Sequence, residues 1–398
     1  MGRTGALVSA CSLATALLPI CAAAQVPDLT WYLLNVSTTS EPTPFSGGGL
    51  TNDTRFRGML GWAAGEIRVD IAYEHTLGLW ENDPLNSGLI FGPAGGSSDW
   101  LGLQGNISSW DGGAWNHRVD RVSLSLPLGS KGEMTVGRQA VSWATTLFLT
   151  PADPFAPFDP ADPFREYRIG VDAARVRLYP GPFSELDLVV RPSRQAEGTT
   201  MTALARARSS LSGWDVSGWL GVVHDEPGAA AGISGSAGDW AVRGEGSLRR
   251  DRVGEGVVLR LSTGVDRLLV LAGRDLYVLA EYQHDGWGAH SADSLLAVIH
   301  SAPFERGEMQ VLGMDTGLAQ LSYQVHPLVA TDGLIMVNLR DGSGLFAPGA
   351  SWSVASDWSL RGGLYLGWGE GLGTMASPLA SEYGLIPAAG YLSLTGFF

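Results

Sequence analysis

The residues best placed to do chemistry lie in one proline-rich segment, Thr150–Phe164, which reads TPADPFAPFDPADPF and repeats the tetrapeptide ADPF. Proline fixes φ and removes an amide donor, so this segment should form neither a ladder strand nor a helix but a stiff, extended loop. Three carboxylates, Asp153, Asp159 and Asp162, recur along it. If the segment folds into an enclosed space, they would present negative charge across an opening, and its phenylalanines would anchor it to the wall.

Arginines form the second candidate group. Period-two alternation places six of them on the polar face of predicted strands: Arg68, Arg138, Arg206, Arg208, Arg243 and Arg260. Acids on an inserted loop opposite arginines on a wall would create a transverse field that orders water and favours dipolar or charged solutes. The alternative is that the loop is an external cap and the arginines pair with wall carboxylates such as Glu66, Asp70, Glu245 and Glu281. The sequence leaves both interpretations open.

Histidines would be the expected base in an enzyme, and the chain has seven. Four of them fall near predicted strand ends, where a hydrolase site of a membrane barrel would lie: His75, His117, His224 and His284. We find no Gly-x-Ser-x-Gly elbow, no His-Glu-x-x-His and no other spacing that ties a nucleophile to a base. The acids also lack the ligand spacing of a calcium loop. The sequence therefore predicts no enzyme, no cofactor and no metal site, with a hydrolase as the less favoured alternative.

Alternating polarity indicates the elements that must position these residues. In Glu66–Tyr73, Arg121–Leu128 and Ser184–Arg191, apolar residues alternate with polar ones, as in strands with one dry and one wet face. The candidate strands run for about 9–12 residues, enough to cross a bilayer at a tilt and longer than most strands of soluble sheets. Tryptophan and tyrosine recur near their ends, where an interfacial girdle would need them. These features favour a membrane barrel over a soluble sandwich.

Connection lengths give the topology. Short turns, such as those near Gly65, Gly213 and Gly273, alternate with segments that are often long, such as Leu77–Trp115 and Asp285–Glu308. Outer-membrane barrels place short turns in the periplasm and long loops outside. We therefore predict an all-β, transmembrane antiparallel β-barrel of roughly 18 strands, with about 16 acceptable, and both termini in the periplasm.

The first 24 residues are typical of an export signal. Arg3 is basic, Ala6–Ile20 is mostly apolar, and Ala22–Ala24 supplies the small residues that signal peptidase requires. Cleavage should leave Gln25 as the first residue, so we predict a signal peptide over 1–24 and a barrel over 25–398.

Composition excludes several classes of protein. The two cysteines, Cys11 and Cys21, both fall in the predicted signal, which excludes disulfides and thiolate metal sites from the exported chain. The net charge of −14 disfavours nucleic-acid binding.

The last eight residues, Tyr391–Phe398, form a short alternating strand that ends on phenylalanine. This ending resembles the C-terminal signal of bacterial outer-membrane proteins that the barrel-assembly machinery recognises. Phe398 is therefore the candidate assembly signal, although Gly396 departs from the aromatic residue usual two positions before the end.

Three stretches carry a family resemblance: Val136–Trp143 (VGRQAVSW), the proline–aspartate-rich Pro151–Pro163, and Glu166–Ala173 (EYRIGVDA). Together with Ser381–Leu385 (SEYGL), they resemble a largely uncharacterised group of porin-like bacterial outer-membrane β-barrels. The resemblance implies a barrel in the outer membrane and no particular substrate.

The function that these observations predict is passive passage of small polar solutes through an outer-membrane channel. The expected partners are outer-membrane lipid, the barrel-assembly machinery and the solutes, with homo-oligomerisation left open. A plugged barrel with a structural or adhesion role is the main alternative.

Overall fold

A computed structural model describes residues 26–44, 47–82, 99–155, 162, 164, 166–195, 198–251, 256–374 and 378–398. The predicted signal peptide lies outside these residues. The described part of the chain forms β1 (Asp28–Ser40), β2 (Gly49–Ala64), β3 (Ile67–Trp80), β4 (Gln104–Trp110), β5 (Gly113–Pro127), β6 (Gly132–Gln139), β7 (Val171–Gly181), β8 (Ser184–Gln195), β9 (Gly198–Leu211), β10 (Trp214–Val223), β11 (Glu226–Ala237), β12 (Trp240–Arg250), β13 (Val257–Leu271), β14 (Arg274–Asp285), β15 (Asp315–His326), β16 (Val329–Asn338), β17 (Gly344–Ala355), β18 (Trp358–Trp368) and β19 (Ala389–Phe397).

These strands close into one antiparallel barrel. Apart from β4, each strand pairs with the next one along the chain, and β3 pairs with β5. The ring closes where β1 pairs with β19, Tyr32 opposite Phe397, as well as with β2. One strand, β4, stands apart: it pairs with the first part of β5, whose other edge there already pairs with β3. Eighteen strands thus complete the barrel and β4 is an extra one, which confirms the predicted fold class.

Polarity across the wall is the reverse of that in a soluble protein. On β12, Leu248 on the outer face is 52% exposed, whereas its neighbours Ser247 and Arg249 on the inner face are each 2% exposed. On β13, Leu259 is exposed on the outer face, and Arg260 is buried on the inner face. An apolar outer surface around a polar interior is the arrangement of a transmembrane β-barrel.

The two ends of the barrel differ in their connections. At the short-turn end, tight turns use glycines with positive φ, among them Gly65, Gly213 and Gly273. Both chain ends meet there: the Trp31 N–H donates to the Phe398 carbonyl at 2.9 Å, and the Phe398 N–H donates back to the Trp31 carbonyl at 3.0 Å. The Phe398 ring lies edge-on against Trp358.

The opposite, long-loop end carries the connections 81–103, 140–170, 286–314 and 369–388. The third of these contains two short helices that the all-β prediction did not include, α1 (Ala292–Ile299) and α2 (Ala302–Glu305). Neither of these helices, nor any other in the described residues, is long and apolar enough to cross a membrane.

Candidate functional site

The first part of the connection between β6 and β7, residues 140–155, lies inside the barrel, against the inner wall. On β12, the carboxylate of Glu245 accepts hydrogen bonds from the backbone N–H groups of Thr145 at 2.5 Å, Thr146 at 3.1 Å and Ala152 at 3.0 Å. Glu245 is buried near the middle of its strand. Residues 140–155, which we call the inward segment, are therefore held well below the long-loop rim.

A second wall carboxylate repeats this arrangement two strands away. Glu281 of β14 accepts the backbone N–H groups of Leu147 at 2.7 Å, Phe148 at 3.0 Å and Leu149 at 2.8 Å. The inward segment forms no helix or strand that could satisfy these donors, and buried N–H groups must be paired somewhere. The two glutamates therefore supply the hydrogen-bond acceptors that a helix or a strand would provide for these N–H groups.

Apolar packing covers the same part of the wall. Trp143 and Phe155 of the inward segment meet edge to face at 5.0 Å between ring centroids, and both are buried. They pack with Val189, Leu204 and other apolar residues of strands β7–β10. The Trp219 indole N–H donates to the Ala152 carbonyl at 2.9 Å, which fixes the position of the inward segment along the wall.

The later part of the same connection contacts the opposite wall through Phe164 and Tyr167. Phe164 lies edge-on against Tyr391 of β19 at 4.9 Å, and Tyr167 lies edge-on against Tyr32 of β1 at 5.5 Å. The guanidinium of Arg57 on β2 lies 4.6 Å from the centre of the Tyr167 ring. Contacts on both walls agree with a loop folded into the lumen and disagree with an external cap.

Two of the three predicted loop acids make local contacts in the structure. Asp153 is buried, accepts the Ser142 hydroxyl at 2.9 Å, and pairs with Arg168 at 3.1 Å. Burial raises the pKa of Asp153 above its ordinary value, although these partners oppose the shift. Asp162 accepts the backbone N–H of Phe164 at 2.8 Å, a local turn bond. Asp159 lies outside the described residues.

Arg138, predicted to line a pore, has no exposed surface. Its guanidinium donates twice to Asp172 at 2.8 Å, once to the Leu101 carbonyl at 2.6 Å, and lies 3.3 Å from Asp99. Because these partners occupy the donors of the guanidinium, the contacts favour a structural role for Arg138. It connects β6 to β7 and to residues 99–103.

Arg260 is also buried, in a two-bond pair with Asp285 at 3.0 and 2.8 Å. The remaining predicted arginines have a partner too: Arg206 lies over the Trp143 ring, and the ion pairs are Arg68–Glu133, Arg208–Asp215 and Arg243–Asp266. Of the wall carboxylates expected to pair with arginines, Glu245 and Glu281 bind the inward segment instead.

An arginine-lined cavity of about 430 Å³ occupies the other side of the lumen. Strands β2, β3, β5, β6 and β7 form its wall, and Tyr167 and Ala140 of the β6–β7 connection border it. Its charged lining residues are Asp28, Arg57, Arg68, Asp70, Arg121, Arg175 and Arg177. Sequence reasoning found only Arg68 of these arginines, although the alternation of Arg175 and Arg177 along β7 was a signal for two more.

The 286–314 connection also reaches the lumen. Glu308 is buried between Arg249 of β12, at 2.8 Å, and Arg306, at 2.6 Å. Gln310 makes two hydrogen bonds to the inward segment. Its side chain accepts the Thr150 N–H and donates to the Phe148 carbonyl, both at 2.6 Å.

The 369–388 connection joins this network through Glu382. Its carboxylate accepts the backbone N–H groups of Leu312 at 2.7 Å and Gly313 at 3.0 Å, and the side-chain amide of Asn338 at 2.9 Å. Three connections therefore interlock at the long-loop end of the lumen.

Two of the histidines considered for catalysis are informative. His224 is buried in the β10–β11 turn, and burial lowers its pKa to about 4. His284 pairs with Asp315 at 2.9 Å, and Asp315 also pairs with Arg340. The Tyr282 hydroxyl donates to the same Asp315 oxygen at 2.7 Å, so Tyr282, His284 and Arg340 all bind this carboxylate.

Several solved structures share the fold of this chain. OccAB1 of Acinetobacter baumannii matches with a TM-score of 0.56 at 9% identity, over 94% of this chain and 96% of that one. A BenF-like porin from Pseudomonas fluorescens Pf-5 matches at 0.53 and 12%, over 94% and 98%. The outer membrane protein opdK from Pseudomonas aeruginosa matches at 0.53 and 11%, over 93% and 98%. No protein-family model and no curated protein matches the sequence. At these identities the likeness shows the shared barrel fold.

Proposed function

We propose that this protein is an outer-membrane channel through which small polar solutes pass by diffusion. The observation that carries the proposal is the β6–β7 connection, whose described parts contact two opposite walls of the lumen and border a polar cavity. A barrel constricted in this way admits small solutes and excludes large ones. The fold is shared with a BenF-like porin.

The membrane setting belongs to the same proposal. The apolar outer surface, the predicted signal over 1–24 and the terminal Phe398 support export and insertion by the barrel-assembly machinery. The short-turn end, with both termini, would then face the periplasm. Whether copies associate in the membrane is a separate question, answered by the mass of the detergent-solubilised protein.

The test is single-channel recording of the refolded protein in a planar bilayer. We expect discrete current steps, and a membrane without steps would overturn the channel in favour of a plugged barrel. Deleting Pro154–Pro163 should then raise the conductance, because the connection could no longer reach across the lumen. An unchanged conductance would show that this connection does not limit flow.

A hydrolase is not supported as a second function. Asp315 of the His284–Asp315 pair also binds Tyr282 and Arg340, and the structural neighbours named above include a porin and no enzyme by name.

A further inference from the structure

We propose that Glu245 and Glu281 are positioning residues that set the bore of the channel, by clamping residues 145–152 to the wall opposite the arginine-lined cavity. The inference rests on the proposed channel function and names the groups that fix its width. The sequence does not predict this role, since it suggests for both glutamates only the alternative of pairing with wall arginines.

The clamp is built entirely from main-chain donors. Six consecutive or near-consecutive N–H groups of residues 145–152 converge on the two carboxylates, at distances from 2.5 to 3.1 Å. A carboxylate only accepts, and its charge makes each bond shorter and stronger than a neutral one. Both glutamates are buried, so water competes little for them.

The geometry indicates where residues 145–152 would move if the two carboxylates were removed. Without the two carboxylates, the freed N–H groups of residues 145–152 would need water, because buried unpaired donors are costly. The arginine-lined cavity is a polar space that borders the β6–β7 connection at Ala140 and Tyr167. The segment should therefore shift toward the cavity and narrow it intermittently.

Gly232 of β11 marks how closely the segment approaches the wall. A Cβ atom built on Gly232 would lie 2.3 Å from the Thr145 hydroxyl and 3.2 Å from the Thr145 Cβ. Only a residue without a side chain permits this approach. The pair also offers a covalent tether, because disulfides join Cβ atoms about 3.5–4.5 Å apart, within reach of a small adjustment.

The first experiment compares Glu245→Gln, Glu281→Gln and the double variant in planar bilayers. Glutamine keeps one acceptor but turns an NH₂ group toward N–H donors, so the clamp loosens while side-chain volume is retained. We expect a several-fold rise in open-channel current noise and a lower mean conductance, largest in the double variant. The matched control is Asp332→Asn on β16, a wall acid that pairs with Arg361 at 2.5 Å. Quiet currents like those of the control would overturn the proposal.

The second experiment restores the clamp by another route. Thr145→Cys with Gly232→Cys, added to the double glutamine variant, should recover quiet, wild-type conductance when oxidised and lose it when reduced. The predicted mature chain has no cysteine of its own to interfere. Noise that persists in the oxidised protein would overturn the proposal.

The same cysteine pair separates this inference from the proposed function. Its cross-linking yield reports the position of the segment without any current, and should fall sharply when both glutamates become glutamine. A silent wild-type protein would overturn the channel, whereas an equal cross-linking yield in the two backgrounds would overturn the clamp.

Discussion

Both sides of the lumen carry buried wall carboxylates, but these carboxylates bind different partners on the two sides. On the β8–β14 side, Glu245 and Glu281 bind backbone N–H groups, and Trp143 and Phe155 fill the space between segment and wall. On the β2–β7 side, the carboxylates pair with arginines, as Asp120 does with Arg57 at 2.6 Å, and a cavity remains. Where a loop supplies N–H donors to a buried acid, the loop covers the wall. Where arginines supply the donors, the wall stays charged and open to the lumen.

The comparison places the proposed pore off the barrel axis. Covering one side with apolar side chains forces polar solutes to the other, where the guanidinium groups border the path. Substitutions that loosen one side of the lumen and leave the other intact test this division.

The largest effect should come from Arg138→Leu. Removing this buried cation leaves Asp172 and Asp99 short of a partner, and breaking a buried ion pair costs about 3–5 kcal/mol. We expect the urea midpoint for unfolding to fall steeply, while any folded channels keep their ion selectivity. Arg68→Gln is the control, since its side chain is 52% exposed and its ion pair should contribute about 0–1 kcal/mol. Equal losses in the two variants would contradict the structural role of Arg138.

Phe155→Ala should come next, by opening the covered side. The ring is buried against Trp143, and truncating a buried phenylalanine costs about 3 kcal/mol or more. We expect lower stability together with noisier currents, because the inward segment loses its apolar contact. Phe183→Ala serves as the reference, since that ring is 72% exposed at a turn of the short-turn end. Noise that rises equally in both variants would argue against the role of Phe155 in covering the wall.

Much of the barrel could be predicted because lipid reverses the usual polarity and forces long alternating strands. The number of strands was predicted from the alternating segments and their connections, and the structure closes with eighteen of them. The proline-rich segment stood out for a similar reason, because its backbone could not enter a ladder.

The partners of that segment could not be predicted. Glu245 and Glu281 bind N–H groups about a hundred residues earlier in the chain. Every residue except proline carries a backbone N–H, so the sequence does not show which of them a distant carboxylate binds. Arg138 was placed by alternation, but Gly137 has φ of +115°, which breaks the alternation at that point. A Cβ at Gly137 would lie 2.2 Å from the Val122 carbonyl oxygen, so strand spacing as well as conformation requires glycine there.

A smaller, purely electrostatic effect should follow from Arg121→Gln with Arg177→Gln in the cavity lining. A unit charge about 10 Å from a passing ion contributes about 0.4 kcal/mol in water, which is roughly a twofold change in permeability per arginine. The reversal potential in a salt gradient should therefore move toward cation preference. Arg267→Gln removes a charge paired with Asp239 outside the cavity lining, and should leave the potential unchanged. A shift of the same size in that control would mean that overall charge, and not the cavity, sets selectivity.

The smallest expected effect concerns pH at the long-loop end. Burial, assisted by the nearby Asp341, raises the pKa of Glu382 to about 7 although its hydrogen bonds oppose the shift. In the unfolded chain a glutamate titrates near 4.3, so between about pH 4.3 and 7 the folded protein binds the extra proton and stability falls as pH rises. Burial alone would also raise the pKa of Glu308, but Arg249 and Arg306 lower it to about 2, so Glu308 does not titrate in this window.

Hydrogen exchange of residues 378–388 should therefore be slower at pH 5 than at pH 8, after correction for intrinsic rates. Glu382→Gln, which stays neutral throughout, should abolish this difference while leaving exchange in the inward segment unaltered. A pH difference that persists in Glu382→Gln would assign the effect to another group. A difference that spreads to residues 140–155 would mean that the covered side is coupled to the interlocked connections more tightly than the two hydrogen bonds of Gln310 imply.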